Sequence, residues 1–162
     1  MKTIVTGILI FLSMTVGAQK VIDFSDFVND YRGQKGVVTF SFGGQLISKF
    51  LDDNNQKTKT LMNKTDYLTF FVLEERNADI IDDFKTRVMD NSYRDLMIVQ
   101  EGGAKVNFKI KTAGELIDEI LMIADDSQSF TIMCWKGKFT MDEARKLTES
   151  VNVGQSLDFG AK

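Results

Sequence analysis

Residues 104–139 read AKVNFKIKTAGELIDEILMIADDSQSFTIMCWKGKF, and this stretch decides the fold. Val106, Phe108 and Ile110 alternate with Lys105, Asn107, Lys109 and Lys111. That period of two marks a strand with one face in the core and one in water. Glu115–Ala124 is two-sided: Leu116, Ile117, Ile120, Leu121 and Ala124 suit a helix stripe, whereas Ile120–Ile123 suits a buried strand. The strand reading is favoured because Asp125-Asp126-Ser127 turns directly into another apolar strand, Phe130–Lys136. Thr140-Met141-Asp142-Glu143 then has the spacing of a capping box, and Ala144, Leu147 and Val151 give the following helix its apolar stripe.

Upstream, Phe24, Phe27, Val28 and Tyr31 fall on one helical face that Gly33 stops. Gly36–Phe42 reads as a strand broken by Gly43-Gly44, and Leu46, Ile47, Phe50 and Leu51 as a short helix. Asp52–Lys64 is polar except for Leu61 and Met62 and is expected to be a mobile surface segment. Tyr67–Leu73 is apolar on both faces, so it belongs inside the sheet. Ile80, Ile81, Phe84 and Val88 form a helix that Asn77 or Asp79 can cap, and Leu96–Val99 is a short strand. The order α-β-α-β-α-β-β-β-β-α predicts an α+β fold. We expect a single two-layer domain over residues 19–151, a mostly antiparallel sheet of about six strands with helices packed on it. Residues 152–162 read as a flexible tail.

The N-terminus reads as an address. Lys2 precedes the apolar run Ile4–Leu12, and Val16-Gly17-Ala18 supplies small residues before Gln19. This is the layout of a secretory signal cleaved after residue 18. At 13 residues, Ile4–Val16 falls short of the roughly 18–20 needed to span a bilayer. No transmembrane segment is therefore expected after cleavage. The single cysteine, Cys134, is not at the new N-terminus, so the exported protein is not expected to be a lipoprotein.

Composition narrows the chemistry. The 162 residues include no His and no Pro. Without His there is no Ser-His-Asp or Cys-His catalysis and no imidazole metal ligand. One Cys excludes an intrachain disulfide and a Cys-rich zinc site. Without Pro, turns fall to Gly, Asp, Asn and Ser, the residues found at each break. The net charge of −3 gives no electrostatic reason to bind nucleic acid or anionic membrane. Cys134, inside an apolar run, reads as a small buried hydrophobe.

The strongest patch is Phe130-Thr131-Ile132-Met133-Cys134-Trp135-Lys136-Gly137-Lys138-Phe139-Thr140-Met141-Asp142-Glu143-Ala144. Together with the leader ending Ala18-Gln19, the early helix and Gly36-Val37-Val38, it resembles the secreted bacterial proteins of the domain of unknown function 4252 family over residues 20–150. The resemblance implies an exported envelope protein of Gram-negative bacteria and carries no catalytic residues across.

Four acidic pairs invite metal or hydrolase readings: Asp52-Asp53, Glu74-Glu75, Asp82-Asp83 and Asp125-Asp126. A calcium loop starting at Asp52 would place Lys57 and Asn63 where Gly and Glu are required. No phosphate-cradling Gly motif is present, and the bacterial origin that the resemblance implies would leave the Asn63-Lys64-Thr65 sequon idle. The Lys105, Lys109, Lys111 row reads as a solvated face guarding a sheet edge. No catalytic, cofactor-binding or metal-ligating residue is singled out, and no cofactor is expected. The leading expectation is a non-catalytic exported domain that binds an envelope protein partner. The alternatives are a small apolar-ligand carrier with a Phe- and Met-lined cavity and, last, a hydrolase using two carboxylates.

Overall fold

The computed structural model describes residues 21–46, 56–89, 92–101 and 104–150. The expected leader (1–18), most of the helix expected from Leu46 to Leu51, the Asp52-Asp53 pair and the tail (152–162) lie outside these residues. The elements are α1 (Phe24–Tyr31), β1 (Val37–Gly43), α2 (Gln56–Asn63), β2 (Thr65–Leu73), α3 (Ala78–Arg87), β3 (Tyr93–Glu101), β4 (Ala104–Ala113), β5 (Leu116–Asp125), β6 (Phe130–Phe139) and α4 (Met141–Ser150). The strands form one antiparallel sheet in the order β1-β2-β6-β5-β4-β3. The α+β fold and its six-stranded sheet are those the alternation predicts, and the ambiguous segment is strand β5. The last four strands run as a meander, and β6 then closes against β2.

The helices correct the expected two layers to three, because they cover both sheet faces. On one face, Phe24, Phe27 and Val28 of α1 and Ile80, Ile81 and Phe84 of α3 pack on Phe71, Leu73, Leu121, Phe130, Ile132 and Cys134. On the other, Leu61 and Met62 of α2 and Ala144 and Leu147 of α4 pack on Leu68, Phe108, Ile110, Ile120, Met122 and Trp135. Strands β5 and β6 are therefore apolar on both sides, the pattern of strands buried between two helical layers.

Two further expectations change. The polar stretch Asp52–Lys64 contains a helix, α2, whose adjacent Leu61 and Met62 are buried. The Thr65 hydroxyl donates to the Leu61 carbonyl and ties this helix to β2. The lysines of β4 guard no edge, since β4 lies between β3 and β5. Tyr67, at the start of interior strand β2, is 59% exposed.

Local signals are realised at the helix starts. The Thr140 N–H donates to Glu143 Oε2 (2.9 Å) and the Glu143 N–H to Thr140 Oγ1 (3.3 Å), completing the capping box of α4. Asn77 Oδ1 accepts from the N–H groups of Asp79 (3.0 Å) and Ile80 (3.3 Å) at the start of α3. Replacing Asn77 with alanine is expected to cost about 1 kcal/mol of stability, read as a lower urea midpoint at unchanged slope. An unchanged midpoint would show that the cap contributes nothing. Gly137 permits the close approach of the chain before β2, since a Cβ there would collide with the Lys64 carbonyl oxygen.

Candidate functional site

One line of paired residues crosses the sheet on the α1 face: Gly43, Tyr67, Lys136, Glu119, Lys111 and Tyr93, one from each strand in spatial order. Its centre is Glu119, a carboxylate only 2% exposed. Both of its oxygens are engaged. Tyr93 Oη donates to Oε2 at 2.5 Å, and Lys136 Nζ forms an ion pair with Oε1 at 3.1 Å. Lys111 Nζ stands 5.5 Å from the Tyr93 ring centre and pairs with Asp23 at the foot of α1 (3.4 Å). Such a buried charge is tolerable only because it is paired and hydrogen-bonded.

This setting shifts its neighbours. Burial, followed by the charge and hydrogen bond of Glu119, holds the Tyr93 phenol protonated far above its ordinary range. Burial, again aided by Glu119, keeps Cys134 a neutral thiol. Burial alone would lower the Lys136 ammonium, but the hydrogen bond and charge of Glu119 outweigh it and raise it. Cys134 thus matches its expected character as a buried, small, unreactive side chain, since the thiolate is the nucleophile.

Beside this line, α1 stands off the sheet over an open cleft of about 290 Å³. Phe24, Val28 and Cys134 give it an apolar interior, and Arg32 and Lys136 bring cations to it. Ser41 and Thr69 hydroxyls, mutually bonded at 3.0 Å, lie on its β1–β2 side with Tyr67. Among the described residues, Glu119 is its one lining carboxylate. The cleft is amphipathic and open, not the enclosed apolar cavity expected of a hydrophobic carrier. A second hollow, about 350 Å³, lies between α3 and β4 with Lys85, Lys105, Lys109 and Met89 among its walls.

The acidic pairs are dispersed. Asp82 is exposed, whereas Asp83 accepts from Tyr31 Oη and Arg87 (both 2.9 Å) and ties α1 to α3. Asp125 pairs with Arg76, and Asp126 caps its own turn by accepting from the Gln128 and Ser129 N–H groups. Glu74 and Glu75 are exposed beside a hollow that Lys35 and Arg76 also line. Among the described residues, no group of three or more His, Cys, Asp or Glu side chains converges on a metal position. The sequence reading missed Glu119. Its signal was the Asp118-Glu119 pair set inside the otherwise apolar run Leu116–Ala124.

A second surface lies on the opposite face at the β1 edge. Val38 and Phe42 are about 40% exposed there, and the Phe40 ring stacks on Phe70 at 4.5 Å. Strand β1 carries no charge and no bulge against β2. The far edge, β3, has Arg94, Asp95 and a register shift between Asp95 and Met97. Among the described residues, no helix is long and apolar enough to cross a membrane.

No curated protein and no solved structure matches the chain. The profile of the family described as "Domain of unknown function (DUF4252)" matches residues 31–147, from the end of α1 into α4, and so takes in the whole sheet and the buried Glu119. With most of its length matched, the chain belongs to the DUF4252 family.

Proposed function

We propose that this protein is an exported, non-catalytic interaction domain of the bacterial cell envelope that accepts a strand of a partner protein on β1. The observation that carries the reading is the unguarded β1 edge. Edge strands are normally blunted by charge, Pro or bulges because their free N–H and C=O groups template pairing. Here seven uncharged residues run along the edge, and exposed Val38 and Phe42 offer apolar contacts to an added strand. Strand addition draws affinity from main-chain bonds and specificity from alternate side chains. The leader-like N-terminus supports export. The full engagement of Glu119 by Tyr93 and Lys136 supports a structural rather than an acid–base role.

Envelope extracts passed over the immobilised protein are expected to yield a saturable partner. The double variant Val38→Lys, Phe42→Lys should lose it at least about tenfold, as burying unpaired charge demands, while its melting temperature stays within a few degrees of the parent. Equal capture by the variant would sink the proposal. A second copy is the competing occupant, because Val38-Thr39-Phe40-Ser41-Phe42 is nearly symmetric in character about Phe40. Sedimentation showing a dimer that the same variant dissolves would assign β1 to self-association instead.

A further inference from the structure

We propose that the cleft between α1 and the sheet binds a small monocarboxylate with a compact apolar body, the carboxylate on Arg32 and the body over Phe24, Val28 and Cys134. Three observations converge. The first is size: at about 290 Å³ the cleft sits at the low end of pockets that hold small molecules. The second is polarity. Its interior is apolar, while its polar groups, Ser25, Asn29, Ser41 and Thr69, come from α1, β1 and β2 and so frame the cleft from two sides. A ligand filling it needs an apolar part and one hydrogen-bonding head.

The third is charge. Lys136 already neutralises Glu119 across 3.1 Å. Arg32 forms no ion pair among the described residues and is the one cationic lining group left over. The lining therefore carries a single net positive charge, which a monoanion balances and a dianion exceeds. Arginine's planar fork matches a carboxylate with two parallel N–H···O bonds. Glu119 is a weakened competitor for that fork, because Tyr93 already donates to one of its oxygens and Lys136 pairs with the other. Tyr67, exposed at the β2 end, can close over the apolar body.

The test is calorimetric titration of the full chain with octanoate, 1-octanol and inorganic phosphate, beside Arg32→Ala and Ser41→Trp. Arg32 is exposed beyond the last turn of α1, so its truncation should leave folding intact. The indole at position 41 would fill the cleft from the β1 side. Octanoate should bind one to one. Octanol should bind about tenfold more weakly or worse, the size of a lost charge-assisted hydrogen bond. Arg32→Ala should erase most of that difference, and Ser41→Trp should block both ligands. Equal affinity for octanoate and octanol, phosphate binding as tight as octanoate, indifference to both substitutions, or no octanoate binding at millimolar concentration would each overturn the assignment.

Discussion

Replacing Phe27 with alanine is expected to remove about 3–5 kcal/mol of folding stability, the range for deleting a fully buried aromatic ring. Phe27 has no exposed surface. Its ring meets Tyr31 at 4.8 Å, Phe71 at 5.1 Å and Phe84 at 5.5 Å, between centres. These three neighbours belong to α1, β2 and α3, so one side chain joins two helices to the sheet. The cavity left behind cannot collapse easily, because Phe24 and Phe130 already pack edge-on against Phe84 from other sides. Urea denaturation followed by circular dichroism gives the number. A loss below about 1 kcal/mol would mean that α1 is held by its polar ties, Tyr31 to Asp83 and Arg87 to Asp30, rather than by this ring.

The second large effect is alkaline. Cys134 and Tyr93 both have raised proton affinities in the folded state, chiefly through burial. A raised folded value means stability that is complete below the unfolded value and lost as pH rises above it. The loss therefore begins near pH 8.5 for the thiol and near pH 10 for the phenol, at about 1.4 kcal/mol per unit for each. By pH 10.5 the two should together remove about 3.5 kcal/mol. Lys136 adds in the same direction once an unfolded lysine deprotonates. Melting and urea midpoints measured from pH 7.5 to 10.5 should fall along this course. In the double variant Cys134→Ala, Tyr93→Phe most of the slope should vanish, whatever its starting stability. A parent protein with flat stability to pH 10.5 would show that these groups ionise without unfolding.

Where the sequence was legible, one residue type in one period carried the information. The alternation in β4, the Thr140–Glu143 box and the Asn77 cap are local devices, and each stands in the structure as its spacing implied. Helix α2 was not legible, since Leu61 and Met62 are the only apolar residues in its sequence and two neighbours define no period. Nor was the pairing of β6 with β2, which joins segments more than fifty residues apart. The cleft was hidden for the same reason. Arg32, Thr69, Glu119 and Lys136 come from four elements, and only strand order and register bring them together.

The polar line through Glu119 bears on alignment. Strands β5 and β6 are apolar on both faces, so hydrophobicity hardly distinguishes the native register of β5 from one shifted by a single residue. Leu121 and Ile123 would simply exchange sides with Ile120, Met122 and Ala124. Glu119 breaks that degeneracy. Shifted by one, its carboxylate would leave Lys136 and Tyr93 and enter the greasy layer beneath α2 and α4. The buried Glu119 carboxylate, tied to Lys136 and Tyr93, thus acts as an index mark by which two otherwise ambiguous strands find their place.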